Sequence, residues 1–369
     1  MIYKKLSEIA DIQAGGTPLR SNPEYWNGNI PWIKISDIKS KFVISYDEKI
    51  SQEGLNNSSA KIFNKGTILY TIFATLGRVG ILTFNASTNQ AIAGIKITDN
   101  NITSEYLYYY LLSIEKKVNS IGNGVAQKNI NLTILKEFNV PIITIDQQNH
   151  ISKTLSQIES IIENSKNQLN LFDELIKSRF VEMFMIDEKD KYPLKKWKDV
   201  AIIKHGKDYK KNIASDGGYP VYGSGGFMGV YADKNLANEN SIIIGRKGTI
   251  DKPILVKEKI WNVDTAFAVE VKKEFLNPIF FYVRSTLYDL KSMSTSTTLP
   301  SMTQSTLHNI EIGIPPIKLQ NEFANFVKQI DKLKFVVHSR YFLCEILTLF
   351  SSTIAYSRVV SILACPNIF

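Results

Sequence analysis

Two stretches of this 369-residue chain are near copies of each other, and that repetition limits the folds open to it. Lys4-Lys5-Leu6-Ser7-Glu8-Ile9-Ala10-Asp11-Ile12 returns as Lys195-Lys196-Trp197-Lys198-Asp199-Val200-Ala201-Ile202-Ile203, an offset of 191. Tyr106-Leu107-Tyr108-Tyr109-Tyr110-Leu111-Leu112-Ser113 is echoed by Pro278-Ile279-Phe280-Phe281-Tyr282-Val283-Arg284-Ser285, an offset of 172. At that second offset Leu135, Phe138, Val140, Ile142, Ile145, Gln148, Asn149 and Ile151 answer to Leu307, Ile310, Ile312, Ile314, Ile317, Gln320, Asn321 and Phe323. The second copy has therefore lost 19 residues from its middle and kept both ends. A period this long marks a duplicated domain, not a solenoid repeat. Shared edges with divergent middles fit one scaffold that carries two different recognition surfaces.

Each copy opens with spaced apolar residues (Leu6, Ile9, Ile12; Trp197, Val200, Ile203) and continues into glycine- and proline-punctuated sequence. β-Branched runs at 67–73 and 241–244, bounded by Gly and Asn, predict buried strands. Aromatic-rich stretches at 106–112 and 278–288 predict helices, so each copy is expected to be a mixed α+β globule.

After the first globule the period changes. Thr144-Ile145-Asp146-Gln147 has the spacing of a capping box, in which the Thr hydroxyl and Gln amide satisfy free backbone donors at a helix start. Apolar residues then recur in steps of four and three: Ile151, Leu155, Ile158, Ile162, and again Leu169, Phe172, Ile176. Ser165 and Arg179 fill the missing seam positions, and the stretch runs to Met183. This is a heptad seam, and it predicts a coiled coil about 50 Å long at 1.5 Å per residue. The same phase restarts at Phe323, Val327 and Ile330 and then passes through Lys334, Val337, Tyr341, Cys344 and Thr348. Two globules alternating with two helices predict an antiparallel return. The expected domains are 1–145 and 192–317 for the globules, with 146–191 and 318–369 for the spacers.

A formal charge of +9, with a pI near 9.2, favours a polyanionic partner. The only cysteines are Cys344 and Cys365, too few for a disulfide framework or a multi-cysteine zinc site, which fits a reducing cytosol. Neither a secretory signal nor a membrane span is expected, because Met1 is followed by Ile-Tyr-Lys-Lys and no long uncharged apolar run occurs.

No motif points to catalysis. Gly-x-Gly-x-x-Gly after a strand is absent, and Lys65-Gly66-Thr67 and Lys247-Gly248-Thr249 have the wrong order for a phosphate loop. Gly223-Ser224-Gly225-Gly226 lacks the outer glycine of a nucleophile elbow and reads as a turn. His150, His205, His308 and His338 have no partner at metal-ligand spacing. What remains suits reading a polymer. Thr75-Leu76-Gly77-Arg78-Val79-Gly80 and Gly245-Arg246-Lys247-Gly248-Thr249 each set basic residues in a glycine-flanked turn after a strand. Such side chains can reach phosphates or guanine edges, and the amides of Asn89-Gln90 can match adenine. A solvated hairpin is the bland alternative for both turns.

The duplication, Ala14-Gly15-Gly16-Thr17-Pro18, Ile30-Pro31-Trp32-Ile33, Leu76-Gly77-Arg78-Val79-Gly80 and the proline turns entering the heptads resemble the specificity subunit of type I restriction-modification enzymes, over residues 1 to about 335. The resemblance implies two target recognition domains separated by long antiparallel coiled-coil helices, each domain reading half of a split site in double-stranded DNA. It implies docking of two methyltransferase subunits and of restriction/motor subunits. S-adenosylmethionine, ATP and Mg would be held by those partners, with no cofactor on this chain. Arg20, Lys34, Arg78, Asn89, Gln90, Lys128, Arg246, Lys247 and Gln304 are the candidate DNA contacts. Ile151, Leu155, Ile158, Ile162, Leu169, Phe172, Ile176, Phe323, Val327 and Ile330 form the candidate partner-binding spacer. The rival readings are an autonomous DNA-modifying enzyme and a coiled-coil adaptor that does not read DNA. The last segment departs from the family pattern. Between Tyr341 and Phe369 only Glu345 and Arg358 are charged, where a Lys/Glu-rich heptad helix is expected; a shifted reading frame or recombination at the 3′ end would explain it, the bland alternative being a divergent but functional helix.

Overall fold

The computed structural model, described over residues 2–115, 118–119, 130–185, 192–294 and 301–353, forms two compact units. Residues 1–165 with 340–369 make the first, and residues 166–339 the second.

In the first unit β1 (Ile2–Lys5) and the single turn α1 (Leu6–Ile9) lead into β2 (Ala10–Ala14). Next come β3 (Ile30–Ile33), β4 (Phe42–Val43), β5 (Glu48–Ile50) and α2 (Gln52–Asn56). The strands β6 (Ile68–Thr71), β7 (Val79–Leu82), β8 (Ser87–Thr88) and β9 (Ile92–Ile97) follow. Then come α3 (Ser104–Ser113), α4 (Leu132–Lys136), β10 (Asn139–Ile142) and α5 (Ile145–Phe184). The strands assemble as a five-stranded sheet β2-β9-β6-β7-β4, a three-stranded sheet β5-β3-β8, and the pair β1-β10.

The second unit repeats the plan. It comprises β11 (Leu194–Lys196), α6 (Trp197–Val200), β12 (Ala201–His205), β13 (Tyr219–Gly223) and β14 (Gly226–Ala232). They are followed by β15 (Ser241–Gly245), β16 (Ile254–Val256), β17 (Trp261–Asn262) and β18 (Ala266–Val271). α7 (Pro278–Thr286), α8 (Gln304–Asn309), β19 (Glu311–Gly313) and α9 (Ile317–Thr353) complete the order. Its sheets are β12-β18-β15-β16, β14-β13-β17 and β11-β19. Strand for strand these match the first unit except at β4, which has no counterpart. Residues 34–47 join β3 to β5, whereas only Ser224 and Gly225 separate β13 from β14. Most of the sequence missing from the second copy is thus one edge strand with its connections.

Helix starts follow local chemistry. Thr103 and Asn277 cap α3 and α7, their side-chain oxygens accepting from Tyr106 N–H (3.3 Å) and Ile279 N–H (2.9 Å). Asn131 and Thr303 do the same for α4 and α8. The Thr144/Gln147 capping box forms as predicted, with reciprocal bonds of 3.3 and 3.2 Å. The caps also correct the alignment of the copies. From Thr103 to Asn277 the offset is 174, not 172, so α3 and α7 stand two residues away from the match read in the sequence. Burial agrees: Tyr106 and Leu107 are enclosed, as are Phe280 and Phe281.

One buried device recurs in both units. Gln148 Oε1 accepts from Thr103 N–H (2.9 Å), while its Nε2 donates to Asn101 O (2.6 Å) and Ile143 O (2.9 Å). Gln320 Oε1 accepts from Asn277 N–H (2.8 Å), and its Nε2 donates to Phe275 O (2.9 Å) and Pro315 O (2.8 Å). Both glutamines are fully buried. Each ties the first turn of a long helix to the loop preceding the aromatic helix of its own unit.

The heptad seam holds as far as Ile176, with Ser165 buried within it. Ile151 and Ile176 are buried, and Leu155, Ile158, Ile162, Leu169 and Phe172 are half-buried. After Ile176 the seam leaves the heptad register. Phe180 and Phe184 enter the second unit's core in place of Arg179, with Met183 half-buried against it, because a step of four keeps the helix facing that core. There they meet Phe280 (5.2 and 4.8 Å) and Phe323 (5.3 and 5.6 Å). On α9, Phe323, Val327 and Ile330 are buried, Lys334, Val337 and Tyr341 half-buried, and Cys344 buried. Within the second unit Phe180 faces Phe323 while Asp173 is paired with Lys334, so the segments run antiparallel. Of the atypical final segment, residues 354–369 lie outside the described residues.

Candidate nucleic-acid interface

In the first unit four of the sequence-selected residues gather around the loop after β2. Trp32 Nε1 donates to Gly16 O (3.0 Å), seating the indole under that loop. The Arg20 guanidinium lies over Trp26 (3.6 Å to the ring centre) and Trp32 (4.9 Å), and it is paired with Glu48. Lys34 reaches the same carboxylate at 2.9 Å and Asp47 at 3.4 Å. Burial pushes the Glu48 carboxyl up, but hydrogen bonds from Arg20 and Lys34 outweigh it and hold the group below its usual range. The bond to Glu48 raises Lys34 in turn. Stacking and ion pairing hold the Arg20 plane in place while about half of its side chain stays open to solvent.

Asn89 and Gln90 close the loop from the other side. Asn89 Oδ1 accepts from Ala91 N–H (3.1 Å), and Gln90 Oε1 accepts from the Thr17 hydroxyl. Close approach requires glycine here, since a Cβ on Gly15 would stand 2.0 Å from Thr88 Oγ1. In the second unit Gly206 would meet Val263 O at 1.9 Å. Arg78, in the turn between β6 and β7, points elsewhere. Its Nη1 donates to Ile35 O (3.0 Å) and Ile38 O (3.4 Å), in the connection found only in this unit.

In the second unit Arg246, Lys247 and Gln304 come together. Arg246 N–H donates to Thr265 O (2.8 Å), its Nη1 to Asp264 O (3.3 Å), and its own carbonyl accepts from Met302 N–H (2.9 Å). Gln304, two residues on, has both ends of its amide occupied, by Ile203 O (2.7 Å) and His205 Nε2 (3.0 Å). Lys247 is exposed. Lys128 lies outside the described residues.

Two features escaped the sequence reading. The first is the Lys207–Lys211 stretch, with Lys207, Lys210 and Lys211 exposed at the place Arg20 occupies in the first unit. The offset of 191 carries Arg20 onto Lys211 and was sufficient to find it. The second is a tryptophan that changes strand. Trp261 Nε1 donates to Lys207 O (2.8 Å), as Trp32 does to Gly16 O, yet Trp32 is on β3 and Trp261 on β17, the parallel neighbour of β13.

The seam residues Ile151, Ile176, Phe323, Val327 and Ile330 are buried inside their own units, so they set helix packing. On the second unit's helices the exposed apolar side chains include Leu171, Leu175, Leu333, Phe335 and Val336, between 45% and 73% exposed. Among the described residues no His/Cys/Asp/Glu cluster could hold a metal, and no helix is long and apolar enough to cross a membrane.

Known proteins agree with this architecture. The chain is 27% identical to the type I restriction enzyme MjaIX specificity subunit of Methanocaldococcus jannaschii, over 88% of this chain and 85% of that protein. It is 21% identical to the EcoprrI specificity subunit of Escherichia coli, over 89% and 87% of the two chains. The crystal structure of the type I restriction-modification S subunit from M. genitalium superposes with a TM-score of 0.62 at 16% identity, covering 95% of this chain and 94% of that one, which shows a shared fold. The type I restriction modification DNA specificity domain matches twice, at residues 2–171 and 189–339. With both copies accounted for, the chain belongs to the family of type I restriction-modification specificity subunits.

Proposed function

We propose that each unit of this specificity subunit reads one half of a split site in double-stranded DNA, and that the chain itself catalyses nothing. The duplicated scaffold carries this reading. Both units keep the same sheet order, caps and buried glutamine, and they differ where β3 joins β5 and β13 joins β14. Two readers on one frame are what a bipartite site needs. Arg20, Lys34, Gln90, Arg246 and Lys247 face the DNA, with Lys128 assigned the same role from sequence. Arg78, Asn89 and Gln304, bonded within their units, position the reading loops.

Two methyltransferase subunits dock on the outer faces of the spacer helices, and restriction/motor subunits join them. Those partners hold S-adenosylmethionine, ATP and Mg and perform methylation and cleavage, in the cytoplasm. The proposed domains are 1–145 and 192–317 for reading, with 146–191 and 318–369 as spacers. The test is adenine-methylation mapping in cells with and without this gene, followed by exchange of residues 1–145 for those of another family member. One half-site should change and the other persist. Simultaneous change of both would defeat independent reading. Unaided turnover of S-adenosylmethionine by the purified chain would favour an enzyme instead.

A further inference from the structure

Where the first unit carries the β3–β5 connection, the second has a tight β13–β14 hairpin, in which β13 is covered by β17 on its far side and β14 is the outer strand. Tyr222 and Phe227 are paired across β13 and β14, with ring centres 5.9 Å apart, and Phe227 and Tyr231 are 5.4 Å apart. Phe227 and Tyr231 are 47% and 44% exposed. Two exposed aromatic rings side by side on an outer strand, backed by the half-buried Tyr222, form an apolar patch open to a partner. Their surroundings say which kind. At the hairpin tip Ser224 abuts the basic turn: its Cβ is 3.0 Å from where a side chain on Gly245 would begin, and its Oγ 3.4 Å from the same point on Gly248. That turn carries Arg246 and Lys247. At the other end Ala214 N–H donates to Tyr231 O (2.9 Å) and Asp233 N–H to Asn212 O (2.9 Å), which ties the Lys210–Asn212 turn to β14. The apolar row therefore runs between two cationic ends.

Gly225 stands at the open tip. It has no positive φ, and a Cβ there would meet nothing within 4 Å, so neither strain nor crowding within the unit calls for glycine.

From this arrangement we infer that the outer strand β14 and the β13–β14 tip form the base-reading element of the second unit. It enters the major groove, Phe227 and Tyr231 rest on thymine methyl groups, and the two basic turns hold the flanking phosphates. Sheet edges can read the major groove, and the C5 methyl of thymine is the apolar feature on its floor. This inference rests on the function proposed above and assigns the second half-site to named side chains.

The test uses the full chain co-purified with its methyltransferase partners, with duplexes containing the mapped site, the same site with uracil for thymine in one half-site, and a scrambled sequence. Deleting the methyls from the second half-site should weaken binding about tenfold for the parent chain, the size of one lost base contact. Phe227→Ala and Tyr231→Ala should lose about as much on the thymine duplex, and Phe227→Ala with Tyr231→Ala together should no longer respond to uracil. All variants should bind scrambled DNA as the parent does. Gly225→Val should keep the parent melting temperature and lose the specific binding. A double variant that still distinguishes thymine from uracil overturns the inference, as does equal loss on scrambled DNA. If the parent complex shows no sequence preference, the proposed function fails and this inference with it. An altered first half-site in the Phe227 variant refutes the assignment to the second unit alone.

Discussion

Replacing Gln148 with Met keeps side-chain volume and helix propensity but removes every polar atom of the clamp. Thr103 N–H and the carbonyls of Asn101 and Ile143 lose their side-chain partner at a site with no exposure of the glutamine to solvent. An orphaned buried group costs about 1–3 kcal/mol, and groups sharing one cavity relax together, so the sum should fall near 3 kcal/mol and not near the upper limit. In urea, with a slope of roughly 2–3 kcal/mol/M, the midpoint of the affected unit should drop by about 1 M. Gln320→Met should behave alike, since it strands Asn277 N–H and the carbonyls of Phe275 and Pro315. The exposed Gln157→Met on the same helix as Gln148 is the control and should shift stability by less than about 0.5 kcal/mol. Fluorescence- and circular-dichroism-detected urea titrations of the three variants measure this. If both clamp variants match the control, the glutamines do not anchor the helices and the reasoning fails. If only one is destabilised, the energetic equivalence of the units fails.

Arg78→Ala should lower the thermal stability of the DNA-free protein by about 1 kcal/mol, because Arg78 holds the carbonyls of Ile35 and Ile38; an unchanged melting curve would return it to a role in DNA contact alone. Phe180→Ala, which empties the centre of the Phe184, Phe280 and Phe323 cluster, should cost the second unit about 3–5 kcal/mol, visible by calorimetry as an early transition of that unit. The Glu48 carboxyl is held below its usual range, so its contribution is fully present above the ordinary carboxylate range and is lost as pH falls through the lower folded value. The melting-temperature difference between the parent and Glu48→Gln should therefore be flat from about pH 8 to 5 and shrink towards about pH 3. A difference that instead grows on acidification would show that Glu48 is a strained group and not an anchor.

Much of this architecture was legible in residue order because it depends on local rules. The capping box at Thr144 and the strands at 68–71 and 241–245 follow from side-chain chemistry and periodicity within a few positions. The seam of α5 is equally local as far as Ile176. Past that point the heptad phase failed, since the choice of Phe180 and Phe184 over Arg179 depends on which core the helix meets. The site was less legible. Net charge and basic turns pointed to a polyanion, but the amides of Asn89 and Gln304 were already bonded within the fold, and only three-dimensional contacts reveal that.

The sequence by itself determined the duplication, the mixed α+β class and the long helices, because repeats, patterning and caps are written along the chain. Tertiary structure alone decided which residues of the two copies are equivalent. The aromatic helices align by their caps and glutamine clamps, two residues away from their best letter match. The tryptophan bonded to the loop carbonyl comes from β3 in one unit and from β17 in the other. Packing requires that a space be filled and a polar atom be bonded, and neighbouring strands put side chains from distant sequence positions within reach of the same space. No comparison along the chain can see that exchange.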